Sequence, residues 1–194
     1  MSTPSALTTN QATRRHLNAR QMETVAKLLV AAREELKGAG FAGMTIRTVA
    51  ARADVAAATA YTYFSSKNHL VSEIFWRTLS ERPRVTSRKT SPYGRVVEVF
   101  NDLGELMADD PELSSATTIA LLSEEPDVRQ LRIQIGAEIN ERIAEALGAK
   151  QSADVLDALS LAWSGAMLQV GMGHAPVDAL GERLARVARL LMRP

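Results

Sequence analysis

Thr45-Ile46-Arg47-Thr48-Val49-Ala50, followed by Ala53-Asp54-Val55-Ala56-Ala57-Ala58-Thr59-Ala60-Tyr61-Thr62-Tyr63-Phe64-Ser65-Ser66-Lys67-Asn68-His69-Leu70, is the stretch that decides the fold. Thr45 is a good N-cap for a short helix over residues 46–52. A second short helix is expected over 57–63, and Ser65-Ser66 can cap a longer one that begins near Lys67. The two short helices are not stable alone, because nucleation costs more than one or two turns return. They make physical sense as a helix-turn-helix packed on its neighbours, with the second helix entering the major groove and the first crossing the DNA backbone.

Outward from this stretch the helical period continues. Upstream, Met22, Val25, Leu28, Leu29, Ala32 and Leu36 recur at helical spacing until Gly38 and Gly40, which are expected to stop that helix. Downstream, Leu70, Val71, Ile74, Phe75 and Leu79 mark a helix that ends before Pro83. Residues 82–92, with Pro83, Pro92 and four basic side chains, read as an exposed connection. Five further helices follow. The first carries Val96, Phe100, Leu103 and Met107; the second covers 112–123 with Ile119 and Leu122 among its apolar positions. The third runs from Pro126 to Leu147 with Gly148 as its cap, the fourth covers 152–172, and the fifth opens at Pro176. No segment alternates like a strand. The expected fold is all-α, with about nine helices: a three-helix head containing the helix-turn-helix, then a helical body. The division is a flexible basic arm (1–20), a head with its connecting helix (21–81), a linker (82–92) and the body (93–194).

Composition narrows the function. Of 194 residues 46% are hydrophobic and none is cysteine, which excludes disulfides, thiolate chemistry and cysteine-ligated zinc. No run approaches a membrane span, and the first twenty residues lack the apolar centre of a secretory signal, so a cytoplasmic protein without membrane contact is expected. His16, His69 and His174 do not cluster, so no metal or other cofactor is expected. No nucleophile–base pair or phosphate loop points to an enzyme. Charge is unevenly spread: residues 1–90 hold 14 Lys or Arg against 6 Asp or Glu, and residues 91–194 hold 9 against 16. A basic head suits a polyanion, while an acidic body should keep away from it.

The residues then take candidate roles. Arg47, in the first turn of its helix, opposes the helix dipole unless a phosphate is its partner. Ala57, Ala58, Thr59 and Thr62 are the candidate readers of the second helix. None forms the Arg–guanine or Asn–adenine type of bidentate pair, so readout would use methyl contacts, threonine hydroxyls or DNA shape. Tyr63 can offer its hydroxyl to a phosphate, and the backbone amide and ammonium of Lys67 can meet another. Arg14, Arg15 and Arg20 could thread into an adjacent minor groove. A helical adaptor that binds protein instead of DNA is the alternative reading of the same head.

The quoted stretch resembles the signature of the tetracycline-repressor (TetR) family: a Thr-capped short helix, a turn, Thr-x-Tyr-x-Tyr/His-Phe (here Thr59 to Phe64), then Ser-Lys-x-x-Leu (here Ser66 to Leu70). The match extends over about residues 24–75. Three positions depart from the pattern. Asp54 and Ala58 stand where glycine is frequent, and Ala56 stands where a capping serine is frequent. The resemblance implies phosphate contact at Thr45 and sugar stacking or base contact by Tyr61. It implies a homodimer through the last two helices, and a ligand-responsive repressor that leaves a palindromic operator when an effector fills an apolar cavity. Candidate lining residues are Phe100, Leu103, Met107, Leu121, Leu122, Ile135, Ile139, Trp163 and Met167. Seven methionines adapt to varied apolar shapes, which suits an elongated hydrophobic ligand. The turn Arg52-Ala53-Asp54-Val55-Ala56 resembles that of actinobacterial repressors of lipid and sterol catabolism, which implies a fatty acyl or steroid thioester.

Overall fold

The computed structural model describes residues 18–149 and 152–192. Among these the chain forms nine α-helices and one 3-10 turn. The helices are α1 (Ala19–Gly43), α2 (Ile46–Arg52), α3 (Ala57–Tyr63), α4 (Lys67–Glu81), α5 (Pro92–Asp109), α6 (Pro111–Ala120), α7 (Pro126–Leu147), α8 (Ala153–Gly171) and α9 (Leu180–Leu191). None is long and apolar enough to cross a membrane.

Local chemistry sets the boundaries. Asn18 and Gln21 close a capping box at the start of α1, each side chain accepting from the other's backbone N–H at 2.9 Å. Arg20, expected in a preceding arm, therefore sits in the first turn of α1; Arg14 and Arg15 lie outside the described residues. Gly38 stays helical. Gly40, at φ 65 and ψ 173, is where the helix breaks, and Phe41–Gly43 add a further turn before Met44. Ser66 caps α4 by accepting from His69 N at 3.0 Å, and Gly148 closes α7 at φ 77. Pro176 does not open α9 directly, because the 3-10 turn Val177–Ala179 intervenes.

Two apolar clusters form, and two helices bind them together. Val25, Leu28, Leu36, Ile46, Val49 and Ala60 lie in the head cluster; Phe100, Leu103, Ile139, Ile143, Leu159 and Leu184 lie in the body cluster. The apolar stripe of α4 is split, with Leu70, Val71 and Ile74 in the head and Phe75 and Leu79 in the body. Less expectedly, Leu113, Ala116 and Ala120 of α6 belong to the head cluster. Because α6 turns that face to the head and ends at Ala120, short of residue 123, Ile119 is exposed and Leu122 is 64% exposed. Leu122 is thus not a wall of any body cavity.

The linker also departs from expectation. Arg82 donates to Asp102 at 2.8 Å and pairs with Glu105 and Asp109, while Arg84 pairs with Glu138, Glu141 and Glu145. Two cations that sequence order assigned to a basic head are therefore held by carboxylates of the body, and the guanidinium of Arg84 is shifted further toward its charged form by those hydrogen bonds.

Candidate DNA interface and effector site

The helix-turn-helix is built from caps and one left-handed residue. Thr45 Oγ1 accepts from Thr48 N at 3.1 Å, and Thr48 Oγ1 accepts from Thr45 N at 3.1 Å, so the start of α2 is closed by a reciprocal box. Asp54 lies at φ 54, the αL conformation in which glycine is most at ease and which Asp tolerates better than most residues. That kink lets Val55 N donate to Ala50 O at 2.9 Å and aims α3 across α2. Ala56, the N-cap of α3, supplies no side-chain hydrogen bond, so the amides at this end stay available to another acceptor.

The candidate contact residues do not all face the same way. Thr45, Arg47, Ala58, Thr59 and Thr62 are exposed, and Tyr61 is 47% exposed. Ala57 and Tyr63 are half-buried against the head cluster, which leaves less of either for DNA than the sequence suggested. Thr62 Oγ1 donates to Ala58 O at 3.1 Å, so it offers outward a methyl and an acceptor. Arg52 is engaged inside the head: it donates to Glu35 at 2.6 Å and, against burial, holds that carboxyl below the ordinary range.

Lys67 is anchored within the head. Its Nζ donates to Phe41 O at 2.8 Å and stands 4.5 Å over the Phe41 ring, tying the start of α4 to the last turn of α1. An ammonium has three donors, so a phosphate contact is compatible with this anchoring. Lys67→Ala is expected to weaken binding to operator and random DNA about equally. It should also reduce the log–log salt slope by about one and lower stability by about 1–2 kcal/mol through the unpaired carbonyl. Filter binding across a salt series checks this; an unchanged slope would assign the ammonium to the head alone.

Sequence reasoning missed the polar clasps between head and body. Arg33 on α1 donates to Asp110, the N-cap of α6, at 2.7 Å. Beyond the other end of α6, Glu125 accepts from Asn68 at 2.6 Å and from Ser66, while Ser65 donates to Asp127 at 2.7 Å. Burial opposes the charge on Glu125, but hydrogen bonds from Ser66, Asn68 and Ser123 outweigh it and hold the carboxyl below its ordinary range. His69 joins this corner, with Nδ1 3.7 Å from Asp127 and its ring edge-on to Phe64. The partners are 57 to 77 residues apart in the chain, so no local signal could have paired them.

In the body, Phe100, Leu103, Met107, Ile135, Ile139, Trp163 and Met167 fall in one buried cluster, with Leu121 packed at its edge. On the outer side of α8, Leu161, Gly165, Leu168 and Met172 form an exposed stripe, and Leu190 and Leu191 are exposed on α9. Gly171 is engaged within the protomer instead: a Cβ there would stand 2.3 Å from Thr118 Cγ2 of α6.

Residues 28–74 match the profile of "Bacterial regulatory proteins, tetR family". The chain is 41% identical over 177 residues to the uncharacterized HTH-type transcriptional regulator Rv0767c of Mycobacterium tuberculosis, across 90% of this chain and 83% of that protein. Its fold matches a TetR transcriptional regulator from Rhodococcus sp. RHA1 at a TM-score of 0.69 with 22% identity, over 90% of this chain and 98% of the other. It also matches Thermus thermophilus FadR, a TetR family transcriptional repressor solved in complex with lauroyl-CoA, at a TM-score of 0.67 with 20% identity, over 87% and 93% of the two chains.

Proposed function

This chain belongs to the TetR family of bacterial transcriptional regulators, and from that premise we infer that it represses transcription as a homodimer on a palindromic operator and leaves it when a small apolar effector binds. The observation that carries the reading is the outer face of α3, where Ala58, Thr59, Tyr61 and Thr62 are exposed on a helix whose other side is fixed by Ala60. Thr45, Arg47 and Lys67 serve as phosphate contacts beside that face, and Arg20, in the first turn of α1, is the candidate for the adjacent minor groove. The unpartnered stripe of α8 with the end of α9 is the dimer surface. Operator binding requires that the two-fold set the two α3 helices about 34 Å apart, one turn of DNA. An adaptor that binds protein is the competing reading; nothing in the face of α3 favours it.

The effector is an apolar molecule, with fatty acyl and steroid thioesters the class to try first. The lauroyl-CoA complex of the FadR relative and the apolar lining around Phe100, Ile139 and Trp163 support this choice. Its message would reach the head through α4, which belongs to both clusters, and through the clasps at Asp110 and Glu125. Packed cores move between discrete arrangements, so a rigid swing of each head is the expected response. Effector and operator then oppose each other by one reciprocal coupling free energy. A ligand that binds tightly and leaves operator affinity unchanged in both directions of titration would contradict the coupling.

Thr59→Ala and Tyr61→Ala test the reading. Each should retain the fold and cost about 1–3 kcal/mol of discrimination between operator and random DNA. Equal losses on both would place these residues on the backbone.

A further inference from the structure

The corner between α6 and α7 carries large apolar side chains that neither the core nor the effector reading uses. Ile119 is 49% exposed, and Ile133, on α7, is 65% exposed; Leu122 lies exposed between them in the chain. Bonds hold this corner in place. Arg132 Nη1 donates to Leu121 O at 2.7 Å, which fixes the turn after α6 against α7. The tight seat of Thr118 on Gly171 joins the end of α6 to the end of α8. Just beyond that seat Ile119 on one side and Met172 on the other are both exposed, so the corner continues the outer stripe of Leu161, Leu168 and Met172. Helices α7 and α8, joined by a short connection, run antiparallel. Ser160 Oγ donates to Asn140 Oδ1 at 2.6 Å, which places Ile133 about two turns further toward the head, level with Met167 and Leu168.

Charge and symmetry say what covers it. The body is acidic, with 9 Lys or Arg against 16 Asp or Glu over residues 91–194, yet Ile119, Leu122, Ile133, Leu168 and Met172 are all uncharged. A second acidic body is repelled by most of this surface and least by such a face. Exposed large apolar residues running across three helices mark a contact surface, whereas scattered ones would not. Both heads must reach one side of the duplex, so the two-fold axis runs from body to head and equal levels of the two protomers meet. The corner lies at the head end of α8 and therefore meets the same level of the second copy. We propose that the α6–α7 corner seats the partner subunit beside α8, with Ile119, Leu122 and Ile133 buried against the second copy. The proposal rests on the dimer reading above and enlarges its surface. Helix α6 is then held from two sides: Leu113, Ala116 and Ala120 pack in its own head cluster, while Ile119 and, just past its end, Leu122 meet the partner. A swing of one head must move the helix on which the other protomer rests, so the two heads change position together.

The test uses the full chain, with the dimer dissociation constant measured by sedimentation equilibrium. Leu122→Glu and Ile133→Glu, made singly, should each raise that constant at least about tenfold, because a carboxylate is driven into an apolar contact without a partner. Thr86→Glu, the same charge placed at an exposed site between α4 and α5, should leave it unchanged. Helical content should be unaltered in all three, since each side chain points to solvent in the protomer. A chain without cysteine permits a second reading: Leu122→Cys introduces a single thiol. A maleimide should modify that thiol at least tenfold more slowly in the dimer than the thiol of Thr86→Cys. Weakened dimers together with a shielded thiol support the proposal. Full dimer affinity in either corner variant, or a Leu122→Cys thiol as reactive as the control, overturns it. Leu161→Glu with Leu168→Glu, measured in parallel, separates the corner from the α8 surface. A dimer that this pair breaks and the corner variants do not overturns the corner alone. A dimer that the corner variants break and this pair does not supports the corner and overturns the α8 surface. A chain that is monomeric at every concentration overturns both.

Discussion

Leu161→Glu combined with Leu168→Glu should convert the protein from a particle of twice 21.1 kDa to a monomer. Operator affinity should fall about 10²–10⁴-fold, the range lost when a second linked contact is removed. Leu161 is 65% exposed and Leu168 is exposed, on the same side of α8 as Gly165 and Met172. In the protomer neither side chain supports the core, so the double variant should fold and keep its helical content. In the dimer four carboxylates would be driven into one apolar seam without partners, a cost no rearrangement of exposed side chains can offset. Light scattering and gel shift measure the two effects. A variant that remains dimeric with undiminished operator affinity would place the dimer surface elsewhere.

Phe100→Ala should be nearly as severe. Phe100 is fully buried at the centre of the body cluster, among the residues expected to surround the effector. Truncating a packed phenylalanine costs about 3–5 kcal/mol, and for a chain of this size that lowers Tm by roughly 10 °C. The measurement also distinguishes two kinds of body. A loss under about 1 kcal/mol would mean that space beside Phe100 is already loosely filled, as in an open ligand cavity; the full loss means that an effector must displace packed side chains to enter.

Much of the architecture was legible because it is local. Thr45, Ser66 and Gly148 begin or end helices through bonds that span three or four residues, and Pro126 opens its helix by its fixed φ, signals that sequence spacing reports directly. At Asp54, where the resembling family often has glycine, the positive φ of 54 accounts for that preference. What escaped was decided by partners far away in the chain. Periodicity showed that α6 has an apolar side but not that this side faces the head, so Leu122 was assigned to a cavity it does not reach. The positive charge of Arg82 and Arg84 was visible, but its neutralisation by carboxylates from α5 and α7 was not. Among the contact residues, Tyr61 kept its exposed place while Ala57 and Tyr63, the latter about half a helical turn round from Tyr61, turned partly inward, which depends on how α3 is seated on α2.

The most direct test of the central claim is selection of genomic fragments by the purified chain, followed by titration of the best fragment against random DNA at rising salt. The account predicts saturable binding by one dimer to a site with two-fold symmetry, with half-sites about one helical turn apart. That site should be preferred over random DNA by about 10³-fold or more, and its affinity should fall linearly on a log–log plot against salt. Binding that fails to distinguish any fragment from random DNA, or that ignores salt, would contradict it.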